Sequence, residues 1–130
     1  MRRTLPLLYI AFILVLVGLA DTGEIGFLVR GIHAIPFGDK VFHALFALGL
    51  ALATDQRFGR VVQVGAIKAR STHLWLPTIV LLEECSQHFV PGRTFDLGDL
   101  LADSIGLSLG FLISSLLRHR CAAPSPAATS

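Results

Sequence analysis

The sequence predicts an all-α integral membrane protein, a bundle of four spanning helices with both termini in the cytoplasm. Three observations lead there. Four strongly apolar segments recur along 130 residues, at about 5–20, 41–54, 74–82 running on into a polar end at 88, and 97–117. Hydrophobic residues make up 53% of the chain and charged residues 15%, with a mean hydropathy of +0.68, whereas a soluble domain carries about 25% charged residues. Third, eight of the eleven Lys and Arg fall on one side of the segments. In hydrocarbon each segment must become a helix, because lipid offers no partner to a free backbone N–H or C=O. A soluble bundle would show a polar stripe on every helix, which residues 5–20 and 107–117 lack.

Taken in order, the first segment follows Arg2 and Arg3 and ends at Gly18-Leu19-Ala20, which also loosely suits a cleaved secretory signal. Retention gives four spans and satisfies the charge rule, so retention is expected. Residues 21–38 form an outer loop broken by Gly23, Gly26, Gly31 and Pro36. Its Ile25, Phe27, Leu28, Val29 and Ile32 are apolar enough for the membrane interface. The second segment reaches the about 17–20 residues that a span needs only if its helix runs from 39 to about 57, with Asp39 as its cap.

The loop 55–73 carries Arg57, Arg60, Lys68 and Arg70, which orient the chain; the alternative is a surface helix holding anionic lipid head groups. With Arg2, Arg3, Arg118 and Arg120 these put both termini and the middle loop in the cytoplasm. The third helix runs from about 72 to 89, with a kink expected at Pro77, and Pro91-Gly92 reverses the chain into the fourth. One domain covers residues 1–120, and 121–130 reads as a disordered tail. Cys85 and Cys121 fall at opposite membrane faces in this topology and cannot bridge within one subunit.

Ionisable residues crowd the join between the third and fourth segments. Asp96, Asp99, Asp103, Gly106 and Gly110 follow the spacing 3, 4, 3, 4, so acids and glycines share one helical face. Gly106 and Gly110 permit close helix packing. On the third helix Glu84, Gln87 and His88 can share a face, and on the second His43 lies one turn beyond Asp39. Lys40, a quarter turn off that face, is expected to reach interfacial water. Three helix ends thus converge on the outer side.

Ionisable groups in a span normally face a bundle interior or a wet cavity. Carboxylates this close need a counter-charge: Arg93, a protonated histidine, a metal or shared protons. Arg93 is the simplest partner, its planar fork matching a carboxylate; in the plainer reading it only staples the hairpin. His43, Glu84, His88, Asp99 and Asp103 offer metal donors, but H-E-x-x-H is missing, and neither a metal nor another cofactor is assigned. No G-x-S-x-G elbow and no glycine-rich phosphate loop is present.

In these residues the chain resembles the VanZ-like family of small bacterial membrane proteins, named for an accessory protein of teicoplanin resistance. The matching elements are Gly38-Asp39-Lys40 with His43, Glu84 with Gln87, Pro91-Gly92-Arg93, Asp96, Asp99, and the Gly106 and Gly110 pair. The family pattern has asparagine where this chain has Asp103, so an amide-based role there does not carry over. The resemblance implies a multi-pass protein of the bacterial inner (cytoplasmic) membrane, associated with the envelope and with glycopeptide tolerance.

The leading functional expectation is an outward-facing polar pocket of Asp39, His43, Glu84, Gln87, Arg93, Asp96, Asp99 and Asp103. It would bind the head of a lipid-linked envelope precursor or a related amphiphile, with Arg93 as anion clamp and Gln87 as hydrogen-bond donor. The alternatives are an intramembrane enzyme acting on a lipid-linked head group, with His43 or Glu84 as general base, and a structural partner in a membrane complex. Membrane lipid is an expected partner and nucleic acid is not; no feature fixes an oligomeric state.

Overall fold

A computed structural model describes residues 4–89 and 95–122. The elements run α1 (Leu5–Asp21), α2 (Gly26–His33), α3 (Gly38–Phe58), β1 (Val61–Val64), β2 (Ile67–Arg70), α4 (Ser71–Gln87) and α5 (Leu97–Ala122). All four apolar segments are helices, as expected. By length and composition one of them, Leu97–Arg120, can cross a membrane, and a second if α2 and α3 form one broken span bent by 112°. α1 and α4 have 17 residues each.

Two connections differ from expectation. The stretch 21–38, read as a loop, contains α2. The stretch 55–73, read as a charged loop or surface helix, folds as an antiparallel hairpin pairing Val61 with Arg70 and Val64 with Ile67. Its β-branched Val61, Val62, Val64 and Ile67 favour a pleated ribbon, and Gly65 at φ +60° supplies the left-handed turn. α5 runs through Ala122, two residues into the expected tail. The rest of that tail, and the Pro91-Gly92 turn, lie outside the described residues.

The bend between α2 and α3 has a local cause. Phe37 sits at φ 58°, a left-handed conformation that a bulky side chain adopts only under constraint. At Gly38 any Cβ would strike the Ile32 carbonyl oxygen, so the chain turns where no side chain fits. Asp39 and Lys40 follow directly.

α3 is the centre of the structure, packed along α5 on one side and against α1 and α4 on others. The α3–α5 contact is close enough to require glycine. A Cβ at Gly106 would meet the backbone carbonyl of Ala44, and one at Gly110 would lie 2.7 Å from Ala51 Cβ. Both glycines lie in this seam, where the lack of a side chain lets the two backbones come close. Between these helices and α4 lies a small apolar core of Ala47, Ala51, Leu76, Val80 and Leu107, flanked by Leu50, Trp75 and Phe111.

The distribution of polarity runs opposite to that of a water-soluble domain. Large apolar side chains such as Leu8, Phe12, Leu14, Leu45, Leu82, Leu101 and Ile105 face outward, while Thr54, Asp55, Thr72, Glu84, Gln87, Asp99, Asp103 and Ser114 are buried. These polar groups form two layers, one at each end of the apolar core.

The layer at the α3 C-terminus is built on Asp55, whose side chain is fully buried. Its Oδ1 accepts from Arg70 Nε at 2.6 Å and Thr72 Oγ1 at 2.5 Å, and its Oδ2 from Ser114 Oγ at 2.6 Å and from the Arg118 guanidinium. Arg70 also donates to the carbonyls of Asp55 (2.8 Å) and Gly59 (2.5 Å), which fastens the hairpin to the helix end. Arg70, expected to orient the chain or to hold lipid head groups, and Arg118, expected to orient it, are thus the counter-charges of a buried acid. Replacing Asp55 with leucine takes the counter-charge from both guanidiniums and the carboxylate acceptor from two hydroxyls, and is expected to cost about 3–5 kcal/mol. Unfolding of the detergent-purified protein checks this, and Lys68→Ala on the exposed hairpin is expected to leave stability unchanged.

Candidate functional site

The second polar layer gathers where α3 and α5 begin and α4 ends. Asp96 precedes α5 and caps it, its Oδ1 accepting from Gly98 N at 2.7 Å. This bond, with the Lys40 ammonium second, holds the Asp96 carboxyl below its usual range. Backbone N of Asp96 donates to Glu84 Oε1 at 3.1 Å, tying the end of α4 to the start of α5. The side chains of Asp99 and Asp103 then point from successive turns of α5 toward α3, as their spacing required.

Lys40 holds the outer part of this layer together. Its Nζ lies 3.1 Å from Asp39 Oδ2, 3.0 Å from Asp96 Oδ2 and 3.0 Å from Asp99 Oδ1. An ammonium has three donors, so this one is saturated. Gly98 makes the approach feasible, since a Cβ there would lie 2.6 Å from Lys40 Cε. The expectation that Lys40 turns to interfacial water is therefore corrected. Its backbone does sit off the Asp39–His43 face, but a four-carbon stem carries the charge back to the acids. His33 lies 3.9 Å from Asp39 at the exposed rim.

One turn deeper, His43 occupies the space between α3 and α5. Its Nδ1 is 3.2 Å from both carboxylate oxygens of Asp103, and its Nε2 faces Asp99 Oδ2 at 3.8 Å. Glu84 approaches from α4 with its side chain wholly buried. One ligand atom each from His43, Glu84 and Asp103 lie within 4.8 Å of one another, as do carboxylate oxygens of Asp39, Asp96 and Asp99. Oε2 of Glu84 has no hydrogen-bond partner among the described residues.

Six of the expected site residues, Asp39, His43, Glu84, Asp96, Asp99 and Asp103, thus meet in one layer. Gln87 is buried beside it but donates to Glu83 Oε1 at 3.0 Å rather than to the carboxylates of α5. Its spacing from Glu84 put it on the correct helix face, yet Glu83, one turn back, is the nearer acceptor. His88 does not join Glu84 in a shared polar face; it is exposed and stacks edge-on against Phe89. Arg93, expected as the anion clamp, lies outside the described residues.

The VanZ/LLP1 family model matches residues 7–118. The chain belongs to the VanZ/LLP1 family. Neither the curated proteins nor the solved structures contain a match. The VanZ/LLP1 match spans α1 to α5 and includes every residue of the polar layer, together with the Asp55 network that the sequence did not flag.

Electrostatics set what the layer can do. Among the described residues it holds five carboxylates, and Lys40 is the one Lys or Arg that pairs with them. Even with His43 protonated the acids are in excess, and such a site favours cations, amines and hydroxyl groups over free anions. The structure also has a shallow groove of about 280 Å³ between α4 and α5, lined by His73, Pro77, Ser104, Leu107, Ser108 and Phe111. Its lining includes none of the acids.

Proposed function

We propose that this VanZ-like protein is a multi-pass protein of the bacterial inner membrane whose acidic layer, at the outer side, binds the polar head of an envelope amphiphile. In this reading it contributes to glycopeptide tolerance. α1, α3, α4 and α5 are the four spans, α3 with α2 as its bent entry, and both termini face the cytoplasm. The apolar exterior supports immersion in lipid. Asp39 and Asp55 stand sixteen positions apart on α3, a rise of about 24 Å, so the two polar layers would sit near the two edges of a hydrocarbon core about 30 Å thick.

The observation that carries the reading is the meeting of side chains from three helices in one layer beneath an apolar surface. Lys40 is saturated by its three acids, so it orders the site and is not free to clamp a phosphate. The bound head would be recognised through hydroxyl or amine groups reaching Asp39, Asp96 and Asp99, while its acyl or prenyl chain lies along the exposed apolar faces. A second reading, an enzyme acting on a lipid head group, is favoured by one specific feature. The His43 imidazole stands at 3.2 Å from Asp103 with Glu84 across from it, an arrangement that suits a general base.

Topology is tested first, in a variant lacking Cys85 and Cys121. A membrane-impermeant maleimide is expected to label Glu24→Cys in intact cells and Gln63→Cys only after permeabilisation; the reverse pattern contradicts the orientation. Binding is tested with Lys40→Met and Asp99→Asn in cells challenged with teicoplanin. Susceptibility is expected to rise to that of cells lacking the protein while membrane abundance stays at the wild-type level. Normal abundance with unchanged susceptibility contradicts the binding role.

A further inference from the structure

The outer and inner halves of the acidic layer are built alike but neutralised differently. In the outer half Lys40 places its ammonium among Asp39, Asp96 and Asp99. In the inner half His43, Glu84 and Asp103 converge just as closely, and no lysine or arginine among the described residues pairs with Glu84 or Asp103. Glu84 is entirely buried, its Oε1 committed to the Asp96 N–H and its Oε2 without a partner among the described residues. A buried carboxylate oxygen with nothing to accept from costs several kcal/mol unless something positive stands beside it.

We propose that His43, Glu84 and Asp103 form a binding site for a divalent transition-metal ion, with Zn²⁺ the ion their donors suit best. One imidazole nitrogen and two carboxylates favour a borderline ion over Mg²⁺ or Ca²⁺, which prefer all-oxygen shells. A tetrahedral ion with bonds of about 2.1 Å wants its ligand atoms about 3.4 Å apart. His43 Nδ1 and the Asp103 oxygens are already 3.2 Å apart, and all three donors lie within 4.8 Å. With Nδ1 as ligand, Nε2 turns toward Asp99 at 3.8 Å, placing a carboxylate where a metal-bound histidine normally finds its orienting partner.

Three protein donors leave a coordination position open. For what the ion would serve, the inference rests on the head-group reading: an ion there presents a cation to a phosphate or hydroxyl oxygen that Lys40, already saturated, does not provide. The site itself stands on geometry alone.

The test is metal analysis of the full chain, purified in detergent, dialysed against Zn²⁺ and desalted, alongside Glu84→Gln, His43→Ala and Asp39→Asn. Glu84→Gln keeps an acceptor for the Asp96 N–H, so its fold is expected to persist, which size-exclusion profile and helical circular dichroism verify. One Zn²⁺ per chain in the wild type and in Asp39→Asn, lost at least tenfold in Glu84→Gln and His43→Ala, is the expected result, with Mg²⁺ failing to compete. Sub-stoichiometric Zn²⁺ in folded wild-type protein overturns the proposal. Equal Zn²⁺ in all four proteins also overturns it, as adventitious binding elsewhere. Susceptibility to teicoplanin is a separate readout: stoichiometric, residue-dependent Zn²⁺ with no susceptibility change contradicts the head-group role and leaves the metal site standing.

Discussion

The close approach of α3 and α5 is the constraint from which the remaining features follow. Gly106 and Gly110 remove the side chains that would hold the helices apart, and Ala44, Ala47 and Ala51 present small surfaces in return. In a hydrocarbon setting such a contact draws little on the hydrophobic effect, because lipid tails are as apolar as leucine. Close van der Waals packing and polar contacts between helices take its place. The glycine stripe continues directly into the acidic stripe, so the same rotation of α5 that seats its glycines on α3 also turns Asp96, Asp99 and Asp103 toward Lys40 and His43.

The ends of this helix pair are then fixed by charge in two different ways. At the hairpin end one acid, Asp55, meets two guanidiniums and two hydroxyls, and among the described residues no buried side-chain oxygen or nitrogen there lacks a partner. Such a layer is saturated, which suits a structural fastening. At the other end, among the described residues, five carboxylates face one ammonium and one imidazole, and one buried oxygen is left over. Unmet electrostatic demand of this kind is what a binding site has and a fastening lacks. The contrast between the two layers supports the proposed binding role for the one and an architectural role for the other.

Much of this was legible in the sequence because helical periodicity is a strong local signal. The 3, 4, 3, 4 spacing from Asp96 to Gly110 placed acids and glycines on one face, and four apolar runs gave four helices. What periodicity does not report is the partner of each face. The backbone position of Lys40 lies off the Asp39–His43 line, yet side-chain length overrides a quarter turn. Asp55 read as the start of a charged loop, since its partners lie 15 and 63 positions away and only the folded chain brings Arg70 and Arg118 to it. The hairpin is not legible for a related reason: two four-residue strands are too short for a period-2 pattern to stand out beside four basic residues.

The central claim is that side chains of α3 and α5 meet in a shared buried layer. A double-mutant cycle between His43 and Asp103, using His43→Ala, Asp103→Asn and their combination, tests it most directly when unfolding is measured in detergent with a chelator present. The account predicts non-additive effects, with a coupling of about 0.5–3 kcal/mol. Additive effects of the two substitutions would contradict it, because residues that do not touch do not couple.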